Sequence, residues 1–126
     1  MWFFKKRIDE QEWEELNREV VTLTNDNKMD EALATGLELF RTSKKCFGKK
    51  HRHTVTALNN LGTIHTMRKE FSEAESYLLA ALQMSEKVSG EMSIEVAVVN
   101  MNLANLYSVK AKTISEALRR QREERR

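Results

Sequence analysis

The chain has 126 residues and a formal net charge of +2, which fits one domain and indicates no particular partner. It contains no proline and only four glycines, a composition that favours long helices over a turn-rich β fold. The single cysteine excludes an internal disulfide, and no stretch is apolar for the ~18 residues that a membrane-spanning helix needs. We therefore expect one cytoplasmic domain.

Apolar side chains recur with helical spacing along most of the chain. The pattern predicts helices at about 10–25, 29–46, 53–69, 72–88, 93–109 and 113–126. In the first helix, Trp13 forms an apolar stripe with Leu16, Val20 and Leu23, which indicates a core face. Trp2, Phe3 and Phe4 precede this stripe, and we expect them to fold back on the first helices, to mark a missing upstream segment, or to form a self-association patch.

Capping patterns place the ends of the later helices. Ser72 and Glu75 have the spacing of a capping box at the start of the fourth helix, and Gly90 stands where a glycine would end it. Thr113 and Glu116 offer a second capping box. They predict a separate last helix that caps the domain with polar side chains.

An internal repeat is visible at an offset of 42 residues. The segment 58–62 recurs as 100–104, and the segment 29–32 recurs as 71–74. Several matches at one offset indicate that one antiparallel helix pair is repeated along the chain.

Small residues occur where the two helices of a pair should cross. Gly62 and Ala74 fall on facing helices of one pair, and Ala104 and Ala117 fall on facing helices of the next if its turn is one residue longer. Such short side chains let two helix backbones approach closely.

These residues carry a family resemblance. The pair Leu61-Gly62 precedes Ala74, with twelve residues from Gly62 to Ala74 and seven from Ala74 to Ala81. This arrangement resembles the tetratricopeptide repeat. The 42-residue period and the run 71–82 resemble the variety of this repeat found in kinesin light chains. The resemblance covers about residues 13–118. It implies an all-α, right-handed α-solenoid of about three stacked helix-turn-helix units.

The expected organisation follows from the repeat. Residues 1–12 form an aromatic and basic N-terminal extension, residues 13–112 form the array, and residues 113–126 form the polar capping helix. The units run over about 13–52 and 53–92, and a third begins at 93.

The resemblance implies a scaffold that binds a peptide or a partner protein in the concave groove lined by the first helix of each unit. Polar and apolar side chains flank the core face of these helices, and amides among them can both donate to and accept from an extended backbone. The predicted groove residues are Asn17, Val21, Asn59, Thr63, Thr66, Met67, Met101 and Asn105. Asn60 and Asn102 match an asparagine common in this repeat, and we expect them to have a structural role.

The sequence gives little support to catalysis or metal binding. His51 and His53 lie close together, but a metal would need further ligands. His65 falls on the packed face, and Cys46 takes the place of Val88, which indicates a buried apolar position. No glycine-rich phosphate loop or catalytic set is present. We predict no enzymatic activity, no cofactor and no metal site.

Two alternative functions remain. The basic residues of the segment 110–126, seven Lys or Arg against three Glu, and those of the cluster 44–52 favour binding of nucleic acid or another polyanion. The N-terminal aromatic residues favour self-assembly. A third possibility, capture of a C-terminal carboxylate as in chaperone adaptors, is disfavoured because the matching positions lack cations; they are Asn17, Val21, Val98 and Asn102.

Overall fold

The computed structural model describes the backbone of residues 2–126 and the side chains from Lys5 onward, except those of Lys6 and Ile8. Within these residues the only regular structure is α-helical. The helices are α1 (Trp2–Asn25), α2 (Met29–Phe47), α3 (Arg52–Met67), α4 (Phe71–Ser89) and α5 (Ile94–Glu124). The prediction of an all-α helical-repeat solenoid is confirmed. The expected contacts of Trp2, Phe3 and Phe4 lie outside the described side chains.

Two antiparallel pairs, α1 with α2 and α3 with α4, are each closed by a tight three-residue turn. In both turns a backbone N–H donates to the carbonyl five residues earlier, from Lys28 to Leu23 and from Glu70 to His65, each at 2.9 Å. The residue before each donor, Asn27 or Lys69, has a left-handed backbone, with φ of 59° and 61° respectively. This geometry is the Schellman motif, which satisfies the last carbonyl groups of α1 and α3.

The connections between pairs use glycine. Gly48 and Gly90 follow α2 and α4 with φ of 92° and 87°, values that glycine adopts without steric penalty. The prediction that Gly90 ends the fourth helix is confirmed. Each following helix has a side-chain cap, because the ring of His51 accepts from the backbone of His53 and Ser93 accepts from the backbone of Val96.

The core consists of two groups of buried side chains, and each group lies between one helix pair and the helix that follows or adjoins it. The first group lies between α1, α2 and α3, and it includes Trp13 and Val20, which are 6% and 1% exposed. The predicted core role of the Trp13 stripe is therefore confirmed. The second group lies between α3, α4 and α5 and includes Leu78 and Leu103. The indole N–H of Trp13 donates to the buried hydroxyl of Ser43 at 2.7 Å.

Two predicted capping boxes are wrong. The helix α4 begins at Phe71 with Glu70 before it, and no side chain caps it. Ser72 therefore lies inside the first turn. Thr113 lies in the middle of α5, where its hydroxyl donates to the carbonyl of Val109 at 2.8 Å.

The third unit differs most from the prediction. The residues expected to form two helices, 93–109 and 113–126, form the single helix α5. The segment between them contains no glycine or proline, so the backbone continues without a break. Ala104 and Ala117 consequently lie on the same helix and cannot face each other. The expected N-terminal extension is likewise continuous with α1, which begins at residue 2.

Candidate protein-binding groove

The first helices α1, α3 and α5 lie side by side, and asparagine side chains join them. The amide nitrogen of Asn60 donates to the side-chain oxygen of Asn17 at 2.8 Å, and that of Asn102 donates to Asn59 at 2.9 Å. We call these two hydrogen bonds the asparagine ladder. It includes two of the predicted groove residues, and it gives Asn60 and Asn102 the structural role expected of them.

The asparagine ladder uses only part of the hydrogen-bonding capacity of Asn17 and Asn59. Each accepts through its oxygen, and within the described part of the chain neither NH2 group donates a hydrogen bond. Both side chains are half-buried. Two amide donors, one on α1 and one on α3, are therefore held at fixed positions on adjacent helices.

A shallow depression lies between α1 and α3. Its volume is about 180 Å³, and its lining includes the predicted groove residues Val21 and Thr63 together with Asn60, which links it to the asparagine ladder. The side chain of Val21 is 44% exposed. The hydroxyl of Thr63 donates to the carbonyl of Asn59 at 3.1 Å, which fixes its rotamer at the edge of the depression.

The other predicted groove residues are divided between surface and interior. Met67 is 47% exposed and Met101 70% exposed, and Asn105 is exposed as well. Thr66 is only 2% exposed, and its hydroxyl donates to the carbonyl of Gly62. The prediction that Thr66 lines the groove is therefore wrong, because its side chain is buried and its hydroxyl bonds within α3.

One exposed groove residue was missed by the sequence reasoning. Val98 is 43% exposed and lies one helical turn before Asn102, so both side chains share a face of α5. The four-residue spacing from an asparagine of the repeat was the signal that could have identified it. Met101 occupies the place in α5 that Asn59 occupies in α3, and its thioether is a weaker hydrogen-bond acceptor than an amide oxygen.

Aromatic and imidazole rings pack together at the other end of the first pair. The His53 ring stacks on Trp13 with a centroid distance of 3.8 Å, and its Nε2 lies 2.9 Å from Glu10. The Phe47 ring contacts His51 and His53 at centroid distances of 4.8 and 4.7 Å, and the two imidazole rings are 4.8 Å apart. These contacts hold α3 against α1 and α2.

Cys46 lies beside this ring cluster. Its thiol is half-buried rather than fully buried, and burial together with the neighbouring Asp9 carboxylate raises its pKa. A raised pKa keeps the sulfur as an unreactive thiol. From residue 2 onward, the described residues contain no group of three or more His, Cys, Asp and Glu that could hold a metal.

An ion-pair network joins the two helix pairs at the turn before α4. Arg68 pairs with Asp30 on α2 and with Glu70, which also contacts the buried His65 at 3.0 Å. The His65 ring stacks on Tyr77. Hydrogen bonds from Arg68 and then His65 lower the pKa of Glu70. The network links the turn between α3 and α4 to α2. His65 lies on the packed face of α3, as the sequence predicted.

Two basic residues of the cluster 44–52 have partners among the described residues. Arg52 pairs with Glu95 at 2.7 Å, and the Lys44 ammonium lies 4.1 Å from the centre of the Phe40 ring. In the exposed C-terminal part of α5, Arg119 lies 3.9 Å from Glu123. Within the described residues, no helix has the length and apolarity needed to cross a bilayer.

Antiparallel helix pairs whose first helices stack side by side define a helical-repeat protein of the α-solenoid class. The family model of the tetratricopeptide repeat matches residues 21–87, more than half of the chain, and the protein belongs to this family. Repeats of this family generally mediate protein–protein interactions. A comparison with curated proteins finds none that is significantly similar to this chain.

Proposed function

We propose that the protein is a scaffold that binds a peptide, or an extended segment of a partner protein, in the groove lined by α1, α3 and α5. The observation that supports this proposal best is the asparagine ladder. It ties the three helices together while the NH2 groups of Asn17 and Asn59 remain as donors. An extended peptide offers backbone carbonyl groups at regular intervals, and these are suitable acceptors for the two amides.

Exposed apolar side chains on the same helices supply the second part of the proposal. Val21, Val98 and Met101 are 44%, 43% and 70% exposed. Apolar anchors beside fixed polar groups are typical of peptide sites, in which the apolar contacts supply affinity and the polar groups fix orientation. We expect the peptide backbone to lie near Asn17 and Asn59, with an apolar side chain near Met101.

The repeat variety is also part of the proposal. The helices α2 and α4 begin 42 residues apart, at Met29 and Phe71, and α3 and α5 begin at Arg52 and Ile94. This spacing supports an assignment to the 42-residue variety found in kinesin light chains. The proposal gives the chain no catalytic role, in keeping with a family whose members are typically non-enzymatic scaffolds.

Polyanion binding is a weaker candidate. The segment 108–126 contains seven Lys or Arg but no aromatic residue, so it lacks the stacking surface that single-stranded nucleic acid uses. Its attraction to a polyanion would rest on charge alone and would fall steeply with salt.

The groove can be tested with a peptide selected from a random library on the immobilised protein. Val21→Arg places a bulky charge in the depression between α1 and α3, and we expect it to raise the dissociation constant by about tenfold or more, as loss of one good apolar contact does. The matched control is Leu79→Arg on the outer helix α4, because Leu79 is 46% exposed and Val21 is 44% exposed. We expect the control to leave the affinity unchanged, as measured by isothermal titration calorimetry.

Other results of these measurements would place the binding site elsewhere or change the proposed function. If Leu79→Arg abolishes binding and Val21→Arg does not, the peptide binds the outer face. If deletion of residues 119–126 abolishes binding of a sequence-selective RNA ligand, the protein is a nucleic-acid binder instead.

A further inference from the structure

The helix α5 has an uncovered face. On α3 the corresponding face packs against α4 through contacts such as Gly62 with Leu78 and His65 with Tyr77. The residues of this face are buried; they are Val55, Leu58, Gly62, His65 and Thr66. The residues 42 positions later on α5 are all exposed; they are Ala97, Asn100, Ala104, Tyr107 and Ser108. Among the residues that the structure describes, the third unit therefore has its first helix, and no second helix covers this face of it.

The uncovered face continues to the end of α5 as a regular seam. Small or apolar residues recur every seven positions at Ala97, Ala104, Ala111 and Leu118, and a second row three residues later contains Asn100, Tyr107 and Ile114. All of them are exposed, including Ile114 at 49% and Leu118 at 52%. The spacing is that of the contact face of a two-helix coiled coil, and it extends over about 32 Å. We call these seven residues the α5 seam.

The residues of the α5 seam are complementary to one another when two copies run antiparallel. If the two helices overlap along their full length, the two-fold axis crosses the seam at the level of residue 109, the midpoint of α5. Ala104 then lies opposite Ile114 of the second copy, and Ala111 opposite Tyr107 of the second copy. Each small residue faces a large one, which is the condition for close packing of two helices.

Charge favours the same antiparallel arrangement. In α5 the segment 94–109 contains one Glu and no Lys or Arg, whereas the segment 110–124 contains five Lys or Arg and three Glu. An antiparallel pair places the basic end of each helix beside the half of the other helix that carries no Lys or Arg. Arg122 of one copy would lie near Glu95 of the second, which also pairs with Arg52 of its own chain. A parallel pair would bring the two basic ends together and would be repelled.

We propose that two copies of this protein pair antiparallel through the α5 seam, each copy supplying residues 110–124 as a second helix that covers the exposed face of the other copy's third unit. Within one chain this segment cannot cover its own first helix, because α5 is continuous and Thr113 bonds back to Val109 inside it. Pairing between copies leaves α5 unbroken and completes two repeats at once. The result is a domain-swapped dimer.

Sedimentation equilibrium of the full chain over a wide concentration range tests this proposal. Ala104→Glu places a carboxylate at the centre of the seam on each copy, and we expect it to raise the dimer dissociation constant by about tenfold or more, because the charge is desolvated without a partner. The matched control is Ala80→Glu, at an exposed alanine of α4, which should dimerise like the wild type. Circular dichroism should show the same helix content in all three proteins.

Disulfide cross-linking tests the orientation. In a Cys46→Val background, we expect chains carrying Ala104→Cys to cross-link on oxidation with chains carrying Ile114→Cys when the two are mixed. Neither variant should cross-link with itself. Three results would overturn the proposal: a wild-type monomer at all concentrations, a dimer that Ala104→Glu does not weaken, or self-cross-linking of Ala104→Cys. A monomer whose seam instead binds a helix of another protein would assign the seam to that partner.

Discussion

The side-chain oxygen of Asn59 accepts a hydrogen bond from the amide nitrogen of Asn102 at 2.9 Å, and Asn17 accepts from Asn60 in the same way one unit earlier. These bonds join helices that are far apart in sequence. Asn59 is therefore both a candidate groove residue and a structural tie between α3 and α5. A substitution at this position acts on stability as well as on binding.

Replacement of Asn59 by alanine removes the acceptor and leaves the half-buried amide of Asn102 without its partner. We expect the free energy of unfolding to fall by about 0.5–1.5 kcal/mol, the usual net value of one such hydrogen bond. Urea denaturation followed by circular dichroism measures the change. Asn105→Ala is the control, because Asn105 is exposed on α5, and it should change stability by less than about 0.5 kcal/mol. Equal stabilities for the two variants would mean that the Asn59–Asn102 bond contributes nothing.

Gly62 permits the close crossing of α3 and α4. A Cβ atom at this position would overlap the Cγ and Cδ2 atoms of Leu78, whose side chain is fully buried. Overpacking of this kind costs about 1–3 kcal/mol, more than the roughly 1 kcal/mol that alanine gains over glycine in a helix. We therefore expect Gly62→Ala to lower the melting temperature.

Gly36→Ala is the matched control for this crossing. A Cβ at Gly36 would lie 3.0 Å from the end of the Leu61 side chain, and a shift of a few tenths of an ångström would relieve that contact. The gain in helix propensity then offsets the remaining strain, and the melting temperature should stay nearly constant. A rise in melting temperature for Gly62→Ala would show that Leu78 can repack.

Much of this fold could be predicted from the sequence because the apolar spacing is regular. The period places α2 within one residue of its observed ends, and the 42-residue offset identifies Gly62 as a close crossing. Whether a helix ends before Thr113 could not be decided from the local sequence. A threonine can cap a new helix or bond back to the fourth residue before it, and here it bonds to Val109.

The groove was harder to predict than the fold. Helical periodicity gives the direction of a side chain but not how far its neighbours extend over it, and Thr66 is buried. The partner of Asn59 is 43 residues away, at Asn102, beyond the reach of any pattern within one helix. The same spacing between Asn17 and Asn60 was visible in the sequence, and it was the signal that could have revealed the asparagine ladder.

Lys69 has a backbone conformation that suits glycine better. Its φ of 61° is in the left-handed region, which costs a residue with a Cβ atom roughly 1–2 kcal/mol. We expect Lys69→Gly to raise the free energy of unfolding by about 0.5–1 kcal/mol, since glycine also loses more entropy on folding. The control is Lys49→Gly. Lys49 also lies in a connection, but its own φ is not positive, so the change should lower the free energy of unfolding slightly. A loss of stability with Lys69→Gly would mean that the lysine side chain stabilises the turn through its own contacts.

The Glu70 carboxylate should make stability depend on acid pH. Hydrogen bonds from Arg68 and His65 lower its pKa in the folded state, so the ionised form stabilises the fold. That stabilisation is fully present above the ordinary glutamate pKa of about 4.3, and it is lost as the pH falls through the lowered pKa of the folded state. We expect the melting temperature of the wild type to fall over this acid range.

Glu70→Gln should reduce the fall of the melting temperature in acid, because glutamine keeps a hydrogen-bond acceptor for Arg68 but has no charge to lose. Its melting temperature should be lower than that of the wild type at neutral pH and should approach it in acid. Glu73→Gln, at an exposed glutamate of α4, is the control and should keep the wild-type profile. Parallel profiles for the wild type and Glu70→Gln would show that carboxylates other than Glu70 govern the acid sensitivity.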